Sequence, residues 1–190
     1  RAIRQDKPMH TMEQARAEML KVITPLRAET VPLAQAAGHV LAGEVLSAVH
    51  LPRFDNSAMD GYAVRATDAG KGAKLRCIGE VPAGSSFENE VGEGECVRIF
   101  TGSLMPAGVN AVVMQEDTRV EGDTIEITDG AKPFEHVRLR GEDVKAGEVI
   151  GSAGERLHGG RLQLLGSAGV GEASVHRQPI VGVLATGDEL

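Results

Sequence analysis

A chain of 190 residues with 42% apolar and 25% charged content can bury a sizeable core in one or two domains, and its composition is ordinary for a soluble globular protein. The net charge of −7 argues against nonspecific nucleic-acid or anionic-membrane binding, which need concentrated positive charge, but leaves room for an anionic ligand in a local basic pocket or on a metal ion. No apolar run approaches the roughly 20 residues that span a bilayer, and no signal peptide is visible, so a cytoplasmic location is expected.

Residues 1–10 are charged and unpatterned and read as an arm. Thr11 and Gln14 fit a capping box, which opens a helix whose Met12, Ala15, Met19, Val22 and Ile23 share one face. Pro25 ends it, and the apolar stripe must pack on something. Glu29–Pro32 reads as a short strand and Leu33–Ala37 as a short helix, with Gly38 as its left-handed cap. Val40–Val49 is apolar, mildly alternating, and leads into a loop.

That loop is the stretch the rest of the chain is organised around. Asp55, Asn56, Ser57 and Asp60 crowd together before Gly61, and neither a helical nor a strand period fits residues 52–60. Loops of this kind carry function. The competing reading is an Asx-turn whose carboxylates merely cap backbone amides.

From Gly61 to about Asp143 the pattern predicts strands at 61–65, 74–80, 95–100, 111–116, 118–121 and 124–128, broken by Gly, Pro and Asp turns. Glu121-Gly122-Asp123 is a hairpin connection. The spacing predicts a compact β-barrel or sandwich of mostly antiparallel strands. Cys77 and Cys96 lack metal or redox spacing and read as small buried strand residues of a reducing compartment. Beyond 143 come a strand at Glu148–Ile150, a helix near His158–Leu165 and a strand near Ala173–His176. Ile180–Ala185 is a continuous apolar run, suited to a strand buried on both faces, and the loop Thr186-Gly187-Asp188-Glu189 follows its carboxyl end. A chain stopping there is expected to be a piece of a longer protein.

The acidic loops are the candidates for chemistry: Asp55 and Asp60, Glu142 and Asp143, Asp188 and Glu189. Carboxylates on separate loops can hold a hard cation such as Mg²⁺ alongside waters and ligand phosphates, and through it an oxyanion. The alternative makes Glu142 and Asp143 surface turn residues with Arg138 and Arg140 as loose partners, contributing about 0–1 kcal/mol. Thr101-Gly102-Ser103 could bind an anion through hydroxyls and amides, or be a plain turn. The Walker, GxSxG and GxGxxG patterns are absent.

The string FDNSAMDGYAVR, followed in order by Arg98–Gly102, Ala111–Glu116, Arg140–Asp143 and Thr186–Leu190, resembles the signature of the MoeA/gephyrin E-domain family, the molybdopterin molybdenumtransferases. The resemblance implies an α+β, mainly β chain. It has an N-terminal helix at 1–26, a small mixed domain from 27–50 and 144–178, a barrel-like inserted β domain at 51–143, and at 179–190 the first strand of a truncated molybdopterin-binding α/β domain. It also implies insertion of molybdenum from molybdate into adenylylated molybdopterin, with a divalent cation assisting and AMP released. The cleft would be composite, across a homodimer, and a molybdopterin adenylyltransferase would be a possible pathway partner. Carried onto this chain, Asp60, Thr101, Asp143 and Glu189 become catalytic, with Asp60, Asp143 and Glu189 as metal ligands; Asn56, Ser57, Gly102 and Asp188 become substrate-binding. The rival expectation is a non-catalytic dimerisation and scaffolding module, as the homologous region serves in gephyrin-like members. If an inserted domain leaves and re-enters its host at one place, the loops at 52 and 143 should approach each other.

Overall fold

The computed structural model of the protein describes residues 10–184. Helix α1 (Met12–Val22) starts at the capping box: Thr11 Oγ1 accepts from Gln14 N at 3.2 Å, and Gln14 Oε1 accepts from Thr11 N at 3.0 Å. No residue of α1 is buried. Met12 and Val22 are 83% and 81% exposed, so the apolar stripe has no cover among the described residues.

Strand β1 (Ala28–Pro32), a single 3₁₀ turn at Leu33–Gln35, and the short β2 (Val40–Leu41) and β3 (Val45–Leu46) follow. Gly38 takes φ +80°, the left-handed conformation expected of it. From the central loop onward come β4 (Asn56–Ser57), β5 (Gly61–Val64), β6 (Lys74–Val81), β7 (Glu95–Ile99), β8 (Ala111–Met114), β9 (Thr118–Glu121) and β10 (Thr124–Ile127). The strands expected between residues 61 and 128 are all present, except that Gln115–Asp117 coils into 3₁₀ rather than prolonging β8. The chain closes with β11 (Val137–Arg138), β12 (Val149–Gly151), α2 (Gly159–Ser167) and β13 (Glu172–His176).

Six strands form one sheet in the order β8-β5-β7-β6-β10-β9. Its ladders are antiparallel except β6–β7, which run parallel with Cys77 opposite Cys96. Both faces of the sheet are covered. Tyr62, Val64, Val113 and Ile125 pack on one side, and Ala63, Val97, Ile99 and Val112 on the other. Burial on two faces explains the unbroken apolar β5 and β8. Among the described residues no ladder joins β8 to β9. The outer edge of β8 is covered instead by residues 134–136, through Val112 N to Glu135 O at 3.1 Å.

A separate three-stranded sheet, β1-β13-β2, packs with α2 around Leu41, Ile150, Leu157, Leu165 and Val175, while β12 pairs with β3. Arg161 ties this region together: its Nε reaches Glu155 Oε1 at 2.5 Å and its Nη1 donates to Ile150 O at 2.7 Å. Chain before residue 51 and after 144 thus shares one core, and the six-stranded sheet lies between them in sequence. The two connections run side by side. Leu51 N donates to Val144 O at 2.8 Å, Asp143 N to Leu51 O and Gly141 N to Pro52 O, both at 3.0 Å. The acidic loops therefore approach each other.

One expectation fails. Residues 180–184 form no strand, and Ile180, Val183 and Leu184 are at least 87% exposed. An apolar run becomes a buried strand only where neighbours pair with it and cover both faces, and no described residues do so. Among the described residues no helix is long and apolar enough to cross a membrane.

Candidate functional site

The site's best-defined corner follows from strand register. β5 pairs with β7 so that Gly61 lies opposite Ile99. The residue before β5 and the turn after β7 therefore meet at the same end of the sheet. Gly61 is obligatory there, because a Cβ would sit 2.0 Å from Val113 O. Asp60 Oδ1 accepts two hydrogen bonds, from Thr101 N and Thr101 Oγ1, each at 2.8 Å. These hold the exposed Asp60 carboxyl below the usual carboxylate range, the backbone amide contributing most, the hydroxyl next and the Arg98 charge least, against a small opposing effect of desolvation.

Arg98 braces this corner. Its guanidinium lies 5.2 Å from the Tyr62 ring centre and 5.0 Å from that of Phe100. It donates to Gly61 O at 3.3 Å and to Gln115 Oε1 at 2.5 Å, while Gln115 N donates to Asp60 O at 3.1 Å. Sequence reading missed Arg98 and Gln115. The signal was there in the register of β5, β7 and β8, which no periodicity reveals.

The Thr101 turn is not an open anion nest. Thr101 N is committed to Asp60, Gly102 N donates to Ser57 O at 2.8 Å and Ser103 N to Phe100 O at 2.9 Å. Gly102 supplies the positive φ of +84° that the turn needs. Asn56 and Ser57 are buried beneath the loop. Asn56 Nδ2 donates to Phe54 O at 3.2 Å; Ser57 Oγ donates to Met59 O at 2.5 Å and accepts from Met59 N at 3.3 Å. Their polar groups shape the loop that presents Asp60.

Asp143 occupies the second loop, exposed at the paired connections. It lines a cleft of about 430 Å³ with Leu51, Pro52, Val144, Gln163 and Leu164. Glu142 Oε2 accepts from Leu139 N at 2.7 Å, and among the described residues neither Glu142 nor Asp143 pairs with Arg138 or Arg140. Asp55 Oδ1 instead accepts from Arg140 N at 2.7 Å, tying the two loops. No group of three or more His, Cys, Asp or Glu able to hold a metal exists among the described residues. Asp60, with one oxygen already engaged, and Asp143 offer carboxylates from separate loops. Each is a hard oxygen donor of the kind Mg²⁺ takes, one or two carboxylates with water and phosphate oxygens completing the shell, and neither belongs to a metal-holding cluster among the described residues. Asp188 and Glu189 lie outside the described residues.

Fold and loops together define a mixed α/β protein, mostly strands, with an exposed acidic site. The model of the family "MoeA N-terminal region (domain I and II)" matches residues 10–169, and the chain belongs to that family. It is 42% identical over 184 residues to a molybdopterin molybdenumtransferase of Haemophilus influenzae, covering 96% of this chain and 46% of that protein. It is 40% identical over 167 residues to the Nostoc protein of the same name, covering 85% and 38%. A crystal structure of the molybdopterin biosynthesis moeA protein from Pyrococcus horikoshii superposes with a TM-score of 0.81 at 37% identity, over 86% of this chain and 45% of that one. The chain spans about half the length, or less, of these relatives.

Proposed function

We propose that this chain supplies the N-terminal part of a molybdopterin molybdenumtransferase of molybdenum cofactor biosynthesis, acting on molybdate and adenylylated molybdopterin with release of AMP, and that alone it is inactive. The observation that carries the proposal is the Asp60–Thr101 pair, in a chain whose relatives bear that name.

Asp60 stays ionised and aimed because Thr101 holds one carboxylate oxygen, and it presents its other oxygen toward the substrate side. Asp143 acts from the paired connections. A bound Mg²⁺ would neutralise charge between these carboxylates and the substrate's phosphate and molybdate oxygens, which they would otherwise repel. Asn56, Ser57 and Gly102 keep the loop in shape, and Asp188 and Glu189 serve from the α/β side. In the same reading 51–143 is an inserted, barrel-like β domain, 27–50 and 144–178 are the two segments of its host, the protein is a cytoplasmic homodimer with a composite cleft, and a molybdopterin adenylyltransferase delivers substrate.

Molybdenum insertion measured in the full-length protein tests the assignment. Asp60→Ala and Asp143→Ala should each lower it about a hundredfold, the scale of losing one preorganised electrostatic group, with dimerisation unchanged. Full activity in both variants would refute it. The bare apolar stripe of α1 favours the second reading, a dimerisation or scaffolding module, which such full activity would leave standing.

A further inference from the structure

We propose that the pocket formed by His50, Arg53 and Arg140 is a binding site for a tetrahedral oxyanion, either free or as the phosphate group of a monoester. The pocket has a volume of about 320 Å³, and its remaining lining is Ala48, Val49 and Ala146. No carboxylate lines it, although Asp and Glu outnumber Lys and Arg by 27 to 20 in the chain. Among the described residues neither Arg53 nor Arg140 forms an ion pair, so two arginines line one cavity without a paired counter-charge.

The backbone builds this arrangement rather than merely tolerating it. Asp55 Oδ1 fixes Arg140 N at 2.7 Å, spending its charge on the amide instead of the pocket. Gly141 follows with φ +73°, and a Cβ there would come 2.8 Å from His50 Nδ1, so glycine is what lets the imidazole lie against the turn. Ala146 N donates to His50 Nδ1 at 3.4 Å, which leaves the proton of the neutral ring on Nε2 as a third donor. A dianion matched to two guanidiniums is neutralised; a single carboxylate would leave one charge over.

The pocket is distinct from the Asp143 cleft. His50 and Arg53 line the pocket, whereas Leu51 and Pro52 between them line the cleft; Arg140 belongs to the pocket and Asp143 to the cleft. The paired connections thus separate a basic cavity from the largely apolar cleft that holds Asp143. This inference does not depend on molybdenum transfer, because binding is read on the chain itself.

Amide NMR titrations of this chain with molybdate, inorganic phosphate and AMP, at constant ionic strength with chloride as control, provide the test. Saturable shifts confined to residues 48–53 and 140–146 are expected, weakening about tenfold or more in Arg53→Gln/Arg140→Gln and on raising salt, with other resonances unmoved. Saturation by molybdate or phosphate but not AMP identifies a free-oxyanion site; tighter saturation by AMP identifies a phosphomonoester site. Absence of saturable shifts with all three, or undiminished binding by the double variant, overturns the proposal.

Discussion

The loops at 52–60 and 139–144 each present a candidate carboxylate, Asp60 beside the Thr101 turn and Asp143 at the paired connections, and they hold it in opposite ways. Asp60 is gripped by the backbone and side chain of Thr101, and the glycine behind it is wedged against β8. Asp143 has no side-chain hydrogen bond among the described residues; its loop hangs on Gly141 in a left-handed turn, on the Glu142–Leu139 contact and on the tie to Asp55. One carboxylate is preorganised by the register of a buried sheet. The other is placed by a surface turn and keeps both oxygens available. The first carboxylate costs no reorganisation before a ligand arrives, and the second can adapt to it.

The two glycines give the largest expected contrast. Gly61→Ala drives a methyl into the Val113 carbonyl, a backbone atom at 2.0 Å that cannot step aside. The cost should be about 3 kcal/mol or more, with the β5–β8 ladder disrupted. Gly141→Ala meets only the imidazole of His50, which can swing away, so about 1–2 kcal/mol of left-handed strain is the main loss. Urea unfolding of both variants measures the difference. Equal losses would mean that the loops are not held differently at all.

A smaller effect is expected from Asp55→Ala, which removes the acceptor for Arg140 N and should cost about 1 kcal/mol. Hydrogen exchange at Arg140 should accelerate while exchange at Thr101 stays slow. Faster exchange at both sites would show the loops to be one cooperative unit.

Much of this was legible in the chain. Alternation and turn residues located the strands from Gly61 to Ile127, and the capping box located α1. Strand direction was not legible: side-chain period is the same in both ladder types, so the parallel β6–β7 pair, and with it the meeting of Cys77 and Cys96, could not be read. Burial then pushes the Cys96 thiol up to about 12, in keeping with an inert core residue. Motif likeness marked Asp60 and Thr101, but only the pairing of Gly61 with Ile99 explains why residues 41 apart in sequence touch. The run after Gln178 misled because apolarity states a demand for neighbours and says nothing about whether they are present.

The subtlest prediction concerns how Thr101 divides its grip on Asp60. The folded-state carboxyl titrates below its unfolded value of about 3.9, so the stability it contributes is complete above that pH and is lost as pH falls through the folded value. Thr101→Val deletes the hydroxyl yet keeps the backbone amide, which is the larger cause of the depression. The Asp60 carboxyl carbon, followed by NMR through an acid titration, should therefore show a midpoint raised part of the way toward the ordinary value. The acid limb of the stability profile should move up with it. A full return to the ordinary value would make the hydroxyl the dominant clamp. No movement would mean that Oγ1 donates elsewhere, and that the register of β5 against β7 aims Asp60 through the backbone alone.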